Sequence, residues 1–353
     1  GYEVEQELKQ SLRIGSVTIS PPVLSAPMAG YTNYAFREIL RRFGGVGLIA
    51  TEMISARAFH YMKRDVDEET LSRYGSSQEE EPTRLWGVRD EERPLSVQIW
   101  DNCPETLEEL ATTLAHDFHV TAVDLNFGCP APAIAKRSES GSFLLKNPEK
   151  VGEIVGRVAR ACFPTPVTAK IRLGVTSDTI NACDVAQAVE CAGGAALTVH
   201  GRTAKQMYMG SADWDEIAKV RSALKSIPLI GNGDIKTAQE AVEKLSAYPV
   251  DGVMIGRGAL SRPWIFREVA QLLKGETPGS EPTLSEQRDL LLLHYNLLVE
   301  RYGEEIAVRL MRRYACNYSK GRPGGKSFRD RIVRVKTHAE FLQVVAESFC
   351  PGE

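Results

Sequence analysis

The chain of 353 residues lacks any apolar run of the length that crosses a lipid bilayer. Its first residues, Tyr2 to Glu7, are polar and do not follow the basic and then apolar order of a secretory signal. We therefore expect no membrane segment and a cytoplasmic location. With 43% hydrophobic residues, the sequence suits one barrel-sized domain and a smaller second one.

Metal-binding patterns are missing as well. The seven cysteines include no Cys-x-x-Cys pair, and no histidines stand at zinc-finger spacing. This odd set of cysteines indicates reduced thiols, so we predict no structural metal ion.

A strong net charge is also absent, since the formal value of −3 disfavours a generally basic surface for nucleic acid. The net charge conceals a local excess of positive charge near the C-terminus, where Asp330 is the only acid among ten basic residues. These are Arg309, Arg312, Arg313, Lys320, Arg322, Lys326, Arg329, Arg331, Arg334 and Lys336. Such a stretch is either a solvated helix face or a surface that contacts phosphates.

Short β-branched runs alternate with amphipathic helical patterns from residue 20 to about 270. The eight runs cover residues 22–26, 47–51, 95–99, 122–125, 167–171, 196–199, 228–230 and 252–255. Eight such units in about 250 residues predict a closed parallel (β/α)8 TIM barrel. An open doubly wound sheet is the alternative, but no glycine-rich dinucleotide motif follows the first run.

A small all-α region is expected to follow the barrel. Residues 275–282 are rich in glycine and proline and indicate a linker. Helical periodicity then covers residues 284–302, 304–318 and 328–346. We therefore predict a barrel domain over residues 13–274 and a helical domain over residues 283–350.

The carboxyl ends of barrel strands carry the chemistry in such folds, so their residues are considered together. The first run ends in the compact segment Ala26 to Gly30, where a flat ring has room to approach the backbone. The seventh and eighth runs end in Asn232-Gly233-Asp234 and Gly256-Arg257. Glycines at these two positions either permit tight turns or let backbone N–H groups bind a phosphate, and their pairing favours the phosphate.

One thiol stands out, because Cys129 lies between Gly128 and Pro130 directly after the apolar fourth run. A cysteine in such a place is either a small core residue or a reactive group at the mouth of a site. Its neighbours at the other strand ends favour the second interpretation.

The ordered set of motifs resembles the tRNA-dihydrouridine synthases, and most of all their bacterial B-type group. The motifs are Ala26-Pro27-Met28-Ala29-Gly30, Asn126-Phe127-Gly128-Cys129-Pro130, Lys170-Ile171-Arg172, His200-Gly201-Arg202-Thr203, Asn232-Gly233-Asp234 and Gly256-Arg257. The resemblance extends from about residue 13 to about residue 345. It implies an FMN-containing barrel that reduces the C5–C6 double bond of a tRNA uridine, with NADPH to regenerate the reduced flavin.

The resemblance also implies roles for individual residues. Pro27, Met28 and Ala29 would line the isoalloxazine ring, and Gln98 and Lys170 would bind its polar edge. The ribityl and phosphate groups would be held by His200, Asn232, Gly233, Asp234, Gly256 and Arg257.

Cys129 would then be the general acid that protonates C5 of the uracil, while reduced FMN delivers hydride to C6. An ordinary thiol titrates near pH 8.5 and still carries its proton at neutral pH. A nucleophilic role would instead require a lowered pKa and a neighbouring base, and the sequence does not tell whether His200 is near enough.

The target base must leave its stack to reach a buried ring, so Asn126 and Arg202 are candidates for contacting the flipped uridine. The basic tail would grip the RNA backbone. The chain departs from the family pattern after Cys129. Members of the family usually have a lysine within a few residues of this cysteine, whereas here Ala131-Pro132-Ala133-Ile134 comes before Lys136. The segment between Cys129 and Gly141 is also one residue longer than in the family pattern. The conformation of this loop is therefore an open question at the sequence level.

Two other functions remain open on the sequence alone. One is an FMN barrel oxidoreductase that acts on a small molecule, which the basic tail disfavours. The other is a tRNA-binding or tRNA-folding protein with a structural flavin, which Cys129 and Lys170 disfavour. No obligate protein partner is evident, and the position of the reduced uridine is not readable.

Overall fold

The computed structural model describes residues 8–76 and 84–349. The polar segment Tyr2 to Glu7, Cys350 and the end of the expected helical domain lie outside these residues. Part of the charged segment between the second and third predicted strands, residues 77–83, lies outside them too.

Eight parallel strands form one closed barrel, as the sequence predicts. They are β3 (Val23–Ser25), β4 (Ile49–Ser55), β5 (Leu95–Trp100), β6 (Ala122–Phe127), β7 (Val167–Arg172), β8 (Leu197–His200), β9 (Leu229–Asn232) and β10 (Gly252–Ile255). Neighbours in the sheet follow the chain from β4 to β10, β10 pairs with β3, and a parallel bridge between Leu24 and Leu48 closes the ring. The strands are nearly continuous apolar runs because helices cover the outside of the barrel.

The helices alternate with the strands and then continue past the barrel. The barrel region contains α1 (Tyr34–Phe43), α2 (Ala56–Asp65), α3 (Glu68–Arg73), α4 (Pro104–Thr112), α5 (Pro132–Ala135), α6 (Pro148–Cys162), α7 (Ala182–Cys191), α8 (Trp214–Val220), α9 (Ala238–Ala247), α10 (Arg257–Ser261) and α11 (Ile265–Leu273). The tail contains α12 (Leu284–Tyr302), α13 (Glu304–Tyr318), α14 (Gly325–Ile332) and α15 (His338–Ser348). Within the described residues, no helix has both the length and the apolar composition of a membrane span.

A short antiparallel hairpin precedes the barrel, and the sequence analysis did not predict it. Strands β1 (Leu12–Ile14) and β2 (Val17–Ile19) flank a two-residue turn in which Gly15 has φ +59°. Leu12, Ile14 and Ile19 pack with Ala196 and other apolar residues at the amino-terminal end of the barrel. Alternating apolar residues around a Gly-Ser pair are the local signal that would have predicted this hairpin.

The expected single helix over residues 328–346 is wrong, since the structure has two helices there. Helix α15 starts afresh at Thr337, whose hydroxyl accepts a hydrogen bond from the N–H of Glu340. The Glu340 carboxylate in turn accepts one from the N–H of Lys336, 2.9 Å away. These bonds satisfy N–H groups at a new helix start, so the chain turns between Ile332 and Thr337.

The tail packs directly on the barrel. Helix α12 contacts α1, and α13 contacts α10. The Tyr314 ring stacks on Phe36 with 5.9 Å between ring centroids, and buried residues of the barrel and the tail form one apolar cluster. The tail is thereby fixed against the end of the barrel where the strands terminate.

Candidate active site

A cavity of about 880 Å³ opens at the carboxyl ends of the barrel strands. This volume is within the range of sites for small organic ligands, roughly 300–1,000 Å³. Ten residues singled out from the sequence line it: Pro27, Met28, Lys170, His200, Arg202, Asn232, Gly233, Asp234, Gly256 and Arg257. Ala29, Gln98, Asn126 and Cys129 are not among the lining residues.

Glycines after β9 and β10 bring backbone close to the cavity. Gly233 has φ +136°, and a Cβ atom there would lie 2.5 Å from the Cβ of Ala212. A Cβ atom on Gly258 would lie 2.3 Å from the carbonyl oxygen of Ile235. Because real Cβ atoms do not approach other atoms so closely, both positions require glycine.

The same end of the cavity is positively charged. Arg257 begins α10 directly after β10, Lys236 lies in the loop after β9, and Lys320 comes from the tail. All three side chains are exposed to solvent at the mouth. Asp234 is the nearest counter-charge to Arg257, at 4.0 Å. Glycines that bring backbone close and a surplus of cations are features typical of phosphate sites.

The buried His200 and Arg202 form a cluster with the partly exposed Asp234 beside these turns. Arg202 donates to the Asp234 carboxylate at 2.9 Å, to the Met209 and Gly210 carbonyls, and to Nε2 of His200 at 3.2 Å. Because a guanidinium only donates, Nε2 accepts, and the His200 proton is assigned to Nδ1. Burial, together with nearby cations, lowers the pKa of His200 far below its ordinary value. His200 is therefore a neutral ring.

Lys170 extends into the cavity from β7, and its ammonium has no hydrogen bond to any other residue of the segments 8–76 and 84–349. Burial and secondly the Arg172 guanidinium lower the pKa of Lys170 from its ordinary value to about 8. The charge of Asp124 opposes this shift only in part, and a buried ammonium without a hydrogen bond is stabilised further by a ligand that supplies negative charge.

Gln98 lies in a buried polar row that crosses the barrel strands. Its amide nitrogen donates to the Asp124 carboxylate at 2.7 Å, and its amide oxygen accepts from Asn126 at 3.0 Å. The Thr168 hydroxyl donates to the other oxygen of Asp124 at 2.7 Å. The row fixes Gln98 and Asn126 in single orientations next to Lys170, since Asn126 and Lys170 are paired in register.

Asn126 also holds the loop that carries Cys129. Its side-chain oxygen accepts from the N–H groups of Gly128, at 3.0 Å, and Cys129, at 2.9 Å. Burial raises the pKa of the Cys129 thiol, against weaker opposing effects of the Ala131 N–H and the charges of Arg172 and Lys170. The thiol thus keeps its proton at neutral pH.

The segment that departs from the family pattern is folded against Cys129. It contains the short helix α5, and the Ser142 N–H donates to the Cys129 carbonyl at 3.0 Å. Gly141 has φ +57°, and a Cβ atom there would lie 2.6 Å from the same carbonyl oxygen. The altered loop therefore gives Cys129 a defined position.

Two residues at the site were not assigned from the sequence. Arg172 donates from one guanidinium nitrogen to the Thr203 and Met207 carbonyls, at 2.9 and 2.6 Å. Tyr208, whose side chain is exposed, lies between Arg172 and Arg257, with guanidinium carbons 5.4 and 4.3 Å from its ring centroid. The alternation of β7 placed Arg172 on the side of Lys170, whereas no sequence pattern pointed to Tyr208.

Comparisons with known proteins agree with the resemblance. A sequence profile described as dihydrouridine synthase (Dus) matches residues 24–350. A probable tRNA-dihydrouridine synthase of Mycobacterium tuberculosis is 35% identical over 94% of this chain and 82% of its own length. A tRNA-dihydrouridine synthase B of Xanthomonas campestris is 37% identical over 96% of both chains.

Solved structures share the fold at low sequence identity. A variant of NCR from Zymomonas mobilis has a TM-score of 0.50 at 15% identity, covering 80% of this chain and 95% of its own. TcOYE with pHBA has a TM-score of 0.51 at 11% identity, covering 75% of this chain and 93% of its own. These similarities concern the barrel architecture alone.

Proposed function

This chain belongs to the dihydrouridine synthase family, and we propose that it reduces the C5–C6 double bond of a uridine in tRNA with bound FMN and with NADPH as reductant. Catalysis in this family depends on a flavin. The observation that carries the assignment to this site is the unpartnered Lys170 ammonium, which lies in a cavity with a phosphate-type end.

The residues present fit FMN. Pro27 and Met28 offer a compact wall for a flat ring, with Ala29 next to them in the chain, and the segments with Gly233 and Gly256 offer backbone and cations to a phosphate. His200, Asn232, Asp234 and Arg257 lie between these two ends of the cavity or beside them. When bound and reduced, FMN supplies the hydride that goes to C6 of the uracil.

Lys170 and Gln98 have different tasks at the polar edge of the ring. The ammonium of Lys170 meets negative charge directly, since no other residue of the described segments neutralises it by a hydrogen bond. Gln98 is held by Asp124 and Asn126 and has one amide hydrogen left to donate. Gln98 is fixed before the ligand arrives, which reduces the entropy lost on binding.

Cys129 gives its proton to C5. Its raised pKa keeps the thiol protonated, and this favours the acid role over a nucleophilic one. Asn126 fixes the position of the thiol through two backbone N–H groups, and we keep it as a candidate for contacting the flipped base. Arg202 uses most of its donors on Asp234, His200 and two carbonyls, so we assign it chiefly to the walls of the site.

The substrate reaches this site as a base flipped out of the tRNA. The basic residues of the helical domain, from Arg309 to Lys336, bind the RNA backbone and leave the choice of uridine to the overall fit. We retain the division into a barrel domain over residues 13–274 and a helical domain over residues 283–350. An enzyme that acts on tRNA belongs where tRNA is, in the cytoplasm, and no protein partner is required by this mechanism.

The test is the formation of dihydrouridine in tRNA that is incubated with the protein, FMN and NADPH. We expect product from the native protein and at least 100-fold less, roughly the weight of one general acid, from Cys129→Ala. Cys183→Ala, which changes a thiol on α7 instead, is the matched control and should retain full activity.

Equal product from native protein and Cys129→Ala would refute the acid role. Flavin binding without any product would favour the tRNA-folding alternative, and reduction of a small substrate in place of tRNA would favour the other flavin oxidoreductases. Bleaching of the flavin by NADPH but not by NADH is the expected cofactor preference.

A further inference from the structure

The tail contacts the wall of the cofactor cavity through a tight turn after β3. Pro27 and Met28 line the cavity, and the residues that follow fold back on them. The N–H groups of Tyr31 and Thr32 both donate to the Met28 carbonyl at 3.0 Å, and the Thr32 hydroxyl accepts from the Met28 N–H at 3.0 Å. The position of Met28 therefore depends on where this turn is held.

Barrel and tail hold the turn from opposite sides at Gly30, whose φ is +79°. On the barrel side, Glu52 accepts from the Gly30 N–H at 2.7 Å. On the tail side, Arg313 donates to the Gly30 carbonyl at 3.1 Å. The Tyr314 hydroxyl donates to the next carbonyl, that of Tyr31, at 2.5 Å.

Ring contacts extend this junction. The Tyr31 and Tyr314 rings meet edge to face with 5.7 Å between centroids, and the Arg313 guanidinium lies 4.7 Å from the Tyr31 ring centroid. A Cβ atom on Gly30 would lie 3.1 Å from the Arg313 guanidinium. This close fit means that the turn and α13 cannot shift independently.

The far end of α13 reaches the other end of the same cavity. Lys320 follows the helix by two residues and lines the cavity with Lys236 and Arg257. Helix α13 also packs on α10, which begins at Arg257. One helix of the tail thus touches both the ring end and the phosphate end of the cavity.

We propose that helix α13 completes the FMN site: Arg313 and Tyr314 are positioning residues for the Met28 wall, and Lys320 is a ligand of the phosphate. The proposal rests on the proposed function insofar as the ligand is FMN. It gives the tail a second task besides contact with tRNA, because cofactor binding then requires the tail even when no RNA is present.

The test is a titration of cofactor-free protein with FMN in the absence of tRNA, followed by quenching of flavin fluorescence. We expect the Kd to rise about three- to tenfold for Tyr314→Phe and for Arg313→Gln, as for one lost hydrogen bond that supports the site. For Lys320→Gln we expect a rise of about tenfold that shrinks in high salt, because the lost contact is ionic.

Two matched controls separate this role from tail stability and from general charge. Arg309→Gln removes an exposed charge from the same helix, and Tyr295→Phe removes a hydroxyl that contacts His338 inside the tail. Neither should change the Kd for FMN. The visible absorption band of bound FMN should shift in Tyr314→Phe and Arg313→Gln but not in the controls, since only these two variants release the wall beside the ring.

Lys320 is on the surface, so we expect the Lys320→Gln protein to fold like the native protein. Thermal unfolding checks that the other variants are folded. Kd values within twofold of native for Lys320→Gln and Tyr314→Phe would overturn the proposal, as would equal losses in the controls. A native protein that binds no FMN would instead overturn the proposed function, and the two failures are therefore distinguishable.

Discussion

Cys129 owes its position to Asn126. The Asn126 side-chain oxygen accepts from two consecutive N–H groups of the loop, and its amide nitrogen donates to Gln98. We expect Asn126→Ala to lower the rate of uridine reduction about 10- to 100-fold, because a displaced acid loses its geometry. FMN binding should change little. The measurement is single-turnover oxidation of the reduced enzyme by tRNA.

Asn126→Asp keeps the acceptor for both N–H groups and is the matched variant. A rate for Asn126→Ala equal to that of the native protein would mean that the loop holds Cys129 without this side chain.

The raised pKa of Cys129 sets the expected pH dependence. A thiol must be protonated to donate, so raising its pKa extends activity to higher pH. We expect the single-turnover rate to stay level through pH 8.5, the ordinary titration point of a thiol, and to fall only above it. A rate that increases with pH over the same range would indicate a thiolate and would contradict the acid role.

We expect Lys170 to lower the stability of the cofactor-free protein. Its folded-state pKa of about 8 lies below the value of about 10.4 in an unfolded chain, so between these pH values the unfolded state binds more protons. The contribution of Lys170 to the free energy of unfolding therefore rises with pH between these two pKa values. We predict that Lys170→Met stabilises the FMN-free protein at pH 7 by on the order of 1–3 kcal/mol and weakens FMN binding.

Chemical denaturation at pH 7 and pH 10 measures this effect. The advantage of Lys170→Met should shrink at pH 10, where the native lysine is largely neutral in the folded state and has begun to lose its proton in the unfolded state. An equal or lower stability of the variant at pH 7 would show that the nearby charge of Asp124 compensates the Lys170 ammonium in the absence of a ligand.

The loop between β6 and α6 depends on one glycine. Gly141 combines φ +57° with a Cβ position 2.6 Å from the Cys129 carbonyl oxygen. We expect Gly141→Ala to destabilise the protein by about 1–3 kcal/mol and to reduce activity by moving Cys129. Gly279→Ala, at a position with open space, should do neither. Thermal unfolding and the rate of uridine reduction are measured for both variants. Equal values for the two variants would contradict the special role of Gly141.

Most elements of the fold were predictable because their signals are local. The limits of α12 and α13 agree with the predicted residues 284–302 and 304–318, since Thr283 and Glu286 form a capping box and Gly303 separates the helices. The division between α14 and α15 was missed because apolar periodicity continues across the turn. The β1–β2 hairpin was missed because its strands are only three residues long.

Barrel and tail share one apolar core, and this bears on how the protein unfolds. Phe36 of α1 contacts both Tyr314 and His294 of the tail, with ring centroids 5.9 and 6.3 Å apart. We predict a single cooperative transition in calorimetry, with calorimetric and van't Hoff enthalpies that agree. Two resolved transitions would mean that the helical domain unfolds by itself and that the contacts with α1 are weak.

By itself, the sequence determined the closed barrel, the helical tail and most of the cavity. Strand periodicity, glycines at turns and the order of the motifs are properties of neighbouring residues. They can be recognised without knowing which distant residues are in contact. Cys129, Lys170 and the turns at Gly233 and Gly256 were identifiable for this reason.

Only the tertiary structure decided which residues support others. It put Tyr208 at the cavity with Arg172 against its ring, and it tied Asn126 to the Cys129 loop. It also set Arg313 and Tyr314 against a turn about 280 positions earlier in the chain. These relations arise from packing between elements far apart in sequence. Burial and paired charges, which shift the pKa values of Cys129 and Lys170, exist only once those elements meet.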